Sequence, residues 1–141
     1  MDNIEHTRRV GSGIRKHCEK IAQSEDVPSI AVKIDLTHRA ALEPALVRVA
    51  SELGGISILV NNAGNVSLSG GILHEKPEDW DNVIETQLNA VFLLSKLVAQ
   101  SMMSRQGGKI INIGSMYSFF GSGLIPSYKG AIIQLTKSMA I

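Results

Sequence analysis

Three side chains capable of acid–base chemistry stand close together between residues 109 and 129. Ser115 follows a short apolar run, residues 110–113, that is typical of a buried strand. Tyr128 and Lys129 stand where a new helical pattern begins. Because ligands of open α/β sheets bind at the carboxyl ends of the strands, we expect this hydroxyl, phenol and ammonium to meet in one crevice. Such groups can move a proton to or from a carbonyl oxygen.

The elements that must position these groups alternate along the chain. Apolar periodicity predicts helices over about 13–24, 39–53, 77–102 and 127 to the end. Apolar runs predict strands over 29–34, 56–60 and 109–114. This alternation predicts a parallel sheet with helices on both faces, although three strands make a very small sheet with two open edges. We therefore expect a single, partial α/β domain over residues 1–141.

Local signals predict where two of the helices begin and end. Thr37 is expected to cap the helix over 39–53, and Gly54 to close it. Pro77 suits the first position of the long helix, where Glu78 and Asp79 would meet the positive end of its dipole. These two carboxylates are therefore interpreted as structural.

Composition excludes several classes of protein. Net charge is +1 and aromatic residues make up 4% of the chain, so neither nucleic acid nor an anionic membrane is an expected partner. Apolar runs stay far below the roughly 20 residues that a membrane helix needs. The single cysteine, Cys18, is expected in a helix core; it allows no internal disulfide, which fits the cytoplasm. The four histidines show no paired metal-ligand spacing, so no metal is expected.

Two further segments stand at predicted strand ends. Asn61-Asn62-Ala63-Gly64 follows the middle strand, and its small residues would let a flat ligand approach the backbone closely. Asp35 ends the first strand. Taken alone, each segment is as well explained by a turn or a helix cap as by a ligand site.

The combination resembles the short-chain dehydrogenase/reductase family over roughly residues 29–141. Asn61 to Gly64 matches the family's NNAG segment. Asp35, followed by Leu36, lies 26 residues before it, where the family places an Asp beside the adenine ring. Ser115 precedes Tyr128 by 13 residues, which is the family's spacing for its catalytic serine and tyrosine.

That resemblance implies a Rossmann-type doubly wound sheet, incomplete here because the first nucleotide-binding strands and the C-terminal strands are not represented. It implies an oxidoreductase that moves a hydride between NAD or NADP and a carbonyl or secondary alcohol. It also implies a homodimer or homotetramer. The implied catalytic residues are Ser115, Tyr128, Lys129 and Gln87. The implied cofactor-binding residues are Asp35, Leu36, Asn61, Ala63, Gly64 and Lys129.

In the implied mechanism, Tyr128 is the general acid for reduction and the general base for oxidation. A free phenol has a pKa of about 10, and the neighbouring Lys129 ammonium would lower it toward working pH. Ser115 would orient the substrate oxygen, and Lys129 would also bind the nicotinamide ribose.

The chain departs from the family at three places. The family separates its tyrosine and lysine by three residues, whereas Lys129 directly follows Tyr128. Adjacent helical residues point about 100° apart, so the pair is not expected to act together as written. Gln87 stands where the family has a catalytic Asn, and it could hold a proton relay or simply face solvent. Gly11-Ser12-Gly13 has no strand before it, so it is interpreted as a loop and not as the family's pyrophosphate turn.

The substrate is the least specified feature. Residues 115–121 look similar to sugar-acid members, such as those acting on gluconate or deoxygluconate, and a 3-oxoacyl carrier-protein reductase is the next candidate. A catalytically inactive or truncated scaffold of the same family that serves as a binding subunit is the alternative. The adjacent Tyr128 and Lys129 and the missing glycine turn favour that alternative.

Overall fold

The computed structural model describes residues 16, 19–64, 72–120 and 125–140. Within these ranges two parallel strands, β1 (Ile58–Asn61) and β2 (Lys109–Asn112), form a sheet. They pair in register from Ile58 opposite Lys109 to Asn61 opposite Asn112. The helices are α1 (Leu42–Leu53), α2 (Pro77–Ile84), α3 (Ala90–Ser104) and α4 (Ile125–Met139), and residues 19–25 are also helical. The predicted loops at 11–13 and around 121–123, and Cys18, lie outside the described residues.

Helix α1 begins after a short 3₁₀ turn, Arg39–Ala41, and ends as predicted at Gly54. Gly54 adopts a left-handed conformation, φ 82°, and its N–H donates to the Ala50 carbonyl at 3.0 Å. The prediction that Thr37 caps this helix is wrong. Its N–H and hydroxyl both donate to the Asp35 carboxylate, at 2.9 and 2.7 Å, so the side chain is already committed to the preceding turn.

The predicted long helix is confirmed, with one irregularity that periodicity did not reveal. Pro77 occupies the first turn of α2, and Glu78 and Asp79 follow it. Residues Glu85–Asn89 form a π-helical turn, here called the π segment, that joins α2 to α3 without a break. π turns occur mostly as single bulges within α-helices and are frequent at functional sites, and this one contains Gln87.

The strand predicted over 29–34 is absent, and that prediction is wrong. Residues 27–35 have no strand assignment. A strand is defined by a ladder of hydrogen bonds to a neighbouring strand, and apolar content alone does not specify such a ladder. In the described part of the chain, β1 and β2 pair only with each other.

The two faces of the sheet are covered unequally. Helix α3 packs on β1 and also contacts α1, so that Leu42 and Val98 are fully buried. On the opposite face Ile58 and Val60 are more than half exposed. The core of the described residues therefore lies on the helical side of the sheet.

A line of polar side chains crosses this helical side. The Asn61 amide donates to Asn112 Oδ1 at 2.8 Å and to Ser95 Oγ at 3.2 Å. The Asn112 amide donates to Thr136 Oγ1 at 2.9 Å, and that hydroxyl donates to the Ile132 carbonyl at 2.7 Å. The line joins α3, β1, β2 and α4, and a slip of either strand by one residue would break it.

We predict that Asn112→Ala lowers the free energy of unfolding by about 1–3 kcal/mol, because it leaves the half-buried Asn61 amide and the exposed Thr136 hydroxyl without their shared partner. Urea titration followed by circular dichroism measures this loss. Asn82→Ala, at an exposed position on α2, is the matched control and should cause no loss. Equal effects of the two substitutions would contradict a stabilising role for the polar line.

Candidate active site

The carboxyl ends of the two strands bring two predicted site segments to one edge. Strand β1 leads into residues 62–64, which are exposed, and β2 leads into residues 113–115. The Ile113 N–H donates to the Asn61 carbonyl at 3.0 Å, so the pairing continues one residue beyond the strands. This edge, residues 61–64 and 113–115, is called the carboxyl edge below. It carries four of the predicted residues: Asn61, Ala63, Gly64 and Ser115.

Ser115 is held by a turn that also reaches α4. Its hydroxyl accepts from the Tyr117 N–H at 3.3 Å, while its own N–H donates to Ser118 Oγ at 3.3 Å. The Ser118 hydroxyl in turn donates to the Lys129 carbonyl at 2.9 Å. These bonds tie the half-buried Ser115 to the helix that bears Tyr128 and Lys129.

Lys129 reaches the carboxyl edge from α4. Its Nζ donates to the Ile113 carbonyl at 3.1 Å and lies 5.7 Å from the centroid of the Tyr128 ring, within cation–π range. Burial lowers the pKa of Lys129 below its ordinary value. The ammonium is thus directed at the end of β2 and at the face of the ring.

Tyr128 is turned into the protein interior and is only 3% exposed. Its hydroxyl is buried, and no described residue makes a hydrogen bond of standard geometry with it. Burial raises the pKa of this phenol above 10.0, and the nearby Gln87 side chain partly opposes the rise. The expectation that Lys129 lowers this pKa is therefore wrong. Because adjacent side chains on a helix point in different directions, the Lys129 ammonium lies over the face of the Tyr128 ring.

Gln87 lies in the π segment and is only 3% exposed, so the interpretation of a solvent-facing glutamine is wrong. Its amide oxygen lies against the carboxyl edge, since a Cβ atom on Gly64 would be 2.8 Å from Gln87 Oε1. Helix α4 packs on the π segment, which puts the same amide beside Tyr128. The structure therefore brings Gly64, Gln87 and Tyr128 together.

The remaining predicted cofactor residues lie in a separate turn before α1. Asp35 is exposed, and the hydrogen bonds from Thr37 lower the pKa of its carboxyl. Leu36 is half-buried beside it. The Asn61 side chain, by contrast, is committed to the polar line in the interior. Contacts of these residues with a cofactor stay predictions.

Sequence reasoning missed a charged cluster that stabilises the π segment. The Arg39 guanidinium donates to both carboxylate oxygens of Glu85, at 2.7 Å for the Nη2–Oε2 bond. The Asn89 amide donates to the same Oε2 at 2.6 Å. The hydrogen bond from Arg39 has the largest effect, and together with that from Asn89 it lowers the pKa of the Glu85 carboxyl to about 2. No periodic signal links residues 46 positions apart, so only the fold reveals this cluster.

Comparison with known proteins decides the family. A family model described as short chain dehydrogenase matches residues 5–141. The chain belongs to the short-chain dehydrogenase family. The predicted family and its Rossmann-type α/β fold are thereby confirmed.

Curated relatives of this short-chain dehydrogenase are about twice its length. It is 37% identical over 110 residues to a 3-oxoacyl-[acyl-carrier-protein] reductase of Vibrio cholerae, covering 76% of this chain and 45% of the relative. It is 35% identical over 126 residues to a 5-keto-D-gluconate 5-reductase of Escherichia coli, covering 87% and 49% respectively. The chain thus spans about half the length of these relatives.

A solved structure confirms the likeness of fold. A gluconate 5-dehydrogenase from Burkholderia cenocepacia, in complex with NADP and tartrate, superposes with a TM-score of 0.80 at 30% identity. The match covers 89% of this chain and 49% of that one.

Other kinds of site are not evident in the part of this short-chain dehydrogenase that the structure describes. Over residues 16, 19–64, 72–120 and 125–140, no three His, Cys, Asp or Glu side chains cluster as metal ligands would. No helix in those same ranges has both the length and the apolarity needed to cross a bilayer.

We predict an acid-dependent loss of stability that originates at Glu85. Its pKa is lowered in the folded chain from 4.5 to about 2, so the stabilisation is complete above pH 4.5 and is lost as pH falls toward 2. Thermal unfolding measured between pH 4.5 and about 2 should show a smaller loss of stability for Glu85→Gln than for the parent.

Glu52→Gln is the matched control, since Glu52 forms an exposed pair with Arg48 one helical turn away. It should reproduce the parent's pH profile. A parent and a Glu85→Gln variant with identical acid profiles would contradict the role of the cluster.

Proposed function

We propose that this chain is an oxidoreductase that uses NAD or NADP to interconvert a carbonyl and a secondary alcohol. The observation that carries the proposal is the meeting of Ser115, Lys129 and the exposed 62–64 loop at one carboxyl edge. Ligands of doubly wound sheets bind at such edges. The relatives named above, all reductases or dehydrogenases, support the same chemistry.

The residues at the carboxyl edge fit a flat cofactor. Residues 62–64 are exposed, and a methyl group at Gly64 would displace the end of the Gln87 side chain, so glycine leaves this backbone unobstructed. Asn61, Ala63 and Gly64 would hold the nicotinamide end, Lys129 its ribose, and Asp35 with Leu36 the adenine end. When bound, the nicotinamide supplies or accepts the hydride.

Tyr128 is suited to donate a proton. Burial raises the pKa of its phenol, so the hydroxyl keeps its proton at neutral pH and can act as a general acid. Ser115 would orient the carbonyl oxygen that receives this proton.

For the substrate we propose a small carbonyl compound, with a keto sugar acid ahead of a 3-oxoacyl thioester. The sugar-acid relative aligns with 87% of this chain and the 3-oxoacyl relative with 76%. A homodimer or homotetramer in the cytoplasm is part of the same proposal. Exposed Phe92 and Met103 on α3 support a partner-facing side of that helix.

A second candidate function, a binding scaffold without catalysis, is favoured by one specific observation. The Tyr128 hydroxyl is buried, while its neighbour Lys129 is engaged with the Ile113 carbonyl and the ring face. A phenol held in this way needs a local movement before it can touch a carbonyl oxygen at the edge.

We predict that Tyr128→Phe lowers the rate of NAD(P)H-dependent reduction of 5-keto-D-gluconate by about 10²-fold or more, the usual contribution of a general acid. Tyr117→Phe is the matched control and should keep the parent rate, because Tyr117 enters the Ser115 turn only through its backbone. Circular dichroism verifies that both variants fold. A Tyr128→Phe variant as active as the parent would overturn the proposed mechanism.

An insertion variant distinguishes the enzyme proposal from the scaffold proposal. Three alanines placed between Tyr128 and Lys129 restore one helical turn between them, so that both side chains face the same side. The enzyme proposal expects turnover in the parent. The scaffold proposal expects neither turnover nor saturable NAD(P)H binding, measured by fluorescence, in the parent.

A further inference from the structure

We infer that Ser118 is a positioning residue whose hydroxyl holds the candidate site residue Ser115 at a fixed distance from helix α4. The inference rests on the proposed function, in which Ser115 orients the carbonyl oxygen of the substrate. The spacing of residue types gives no sign of this role, since the role depends on a contact between the turn and α4.

The Ser118 hydroxyl makes two hydrogen bonds at once. Its oxygen accepts from the Ser115 N–H at 3.3 Å, and its O–H donates to the Lys129 carbonyl at 2.9 Å. A serine hydroxyl has one hydrogen and two lone pairs, so both bonds can form together. One oxygen atom thus links the backbone of Ser115 to the backbone of α4.

Lys129 accepts this bond without leaving the helix. A carbonyl oxygen has two lone pairs, so it can take the Ser118 hydrogen in addition to a bond within α4. At the other end of the same residue, the Lys129 ammonium donates to the Ile113 carbonyl at 3.1 Å. Residues 113 and 118, which flank Ser115, are therefore both hydrogen-bonded to one residue of α4.

The 3₁₀ turn that carries Ser118, Met116–Ser118, lies directly on α4. A Cβ atom on Gly130 would be 3.9 Å from the Ser118 carbonyl oxygen, which is van der Waals contact. Ser115, Ser118 and Lys129 are all half-buried, so their bonds are partly shielded from water. Contact with α4 and the two hydroxyl bonds together keep the turn in place.

The same geometry leaves the Ser115 hydroxyl able to act on a substrate. Its oxygen accepts from the Tyr117 N–H at 3.3 Å, which uses a lone pair and not the hydroxyl hydrogen. That hydrogen can therefore be donated to a carbonyl oxygen at the carboxyl edge. Ser118 holds the backbone of Ser115, while the Ser115 side chain keeps its donor.

We expect Ser118→Ala to lower kcat for NAD(P)H-dependent reduction of 5-keto-D-gluconate by about 10–100-fold, because a displacement of about 1 Å at a reacting group has effects of that size. The affinity for NAD(P)H should be retained, since the Lys129 ammonium keeps its bond to Ile113. By NMR, the Ser115 N–H should exchange with solvent about 10-fold faster, the equivalent of one lost hydrogen bond.

Ser104→Ala is the matched control. The Ser104 hydroxyl also donates to a backbone carbonyl, that of Ser101 at 2.8 Å, but it does so at the exposed end of α3. This variant should keep the parent's kcat and the parent's rate of Ser115 exchange.

Threonine and valine at position 118 separate the effect of the hydroxyl from the effect of packing. The two side chains have nearly the same shape, and only threonine carries a hydroxyl. Ser118→Thr should have a higher kcat and slower Ser115 exchange than Ser118→Val. Equal values for the two variants would overturn the inference, because a role in packing alone predicts them. If Ser118→Ala does not fold by circular dichroism, Ser118→Cys, which retains only a weak donor, takes its place with a smaller change in the same direction.

Amide exchange needs neither cofactor nor turnover, so the inference and the proposed function fail separately. A parent without reductase activity would reject the proposed function, while faster Ser115 exchange in Ser118→Ala would still show that Ser118 holds Ser115. Unchanged exchange would overturn the inference whether or not the chain is active. Faster exchange with an unchanged kcat in an active chain would overturn it as well.

Discussion

A line of side-chain hydrogen bonds between two helices and two strands is the interaction on which the rest of the described fold depends. Asn61 and Asn112 stand opposite each other at the last pair of the sheet, and each also reaches a helix. Because the bonds are directional and those of Asn61 are half-buried, they specify one register where apolar packing alone would tolerate others. The loops that carry the candidate site start at the very next residues, so the pairing of Asn61 with Asn112 sets the distance between these loops.

Much of the candidate site was predictable from local spacing. Ser115 and Gly64 follow apolar runs, and parallel strands must end at the same edge, so their proximity followed from the order of elements alone. Gly54 and Pro77 likewise marked helix boundaries through backbone preferences that operate without tertiary contacts. Features that depend on one segment of chain are the ones that sequence reasoning recovered.

What failed depends on contacts that the pattern of residue types does not specify. Residues 29–34 have the composition of a strand but are not assigned as one, and Thr37 had a nearer partner in Asp35 than the helix it was expected to cap. The bond between Arg39 and Glu85 and the burial of Gln87 arise only when α1 and the π segment come together. The pKa of Tyr128 was predicted wrongly for a related reason. Although Lys129 is its neighbour along the chain, the ammonium faces the Tyr128 ring, and sequence distance does not show which atoms a charge will face.

The π segment has a consequence for how this chain can vary in length. A π turn carries one more residue per turn than an α-helix, so it shifts the angular phase of everything that follows it by about 100°. Removing a single residue from Glu85–Asn89 would rotate α3 about its axis relative to α2. Val98 and Ser95, which now face inward, would swing toward the side of the helix. This short turn thus sets the angular position of the helix that follows it in the longest helical stretch of the described residues, and neither an insertion nor a deletion within it would be a local change.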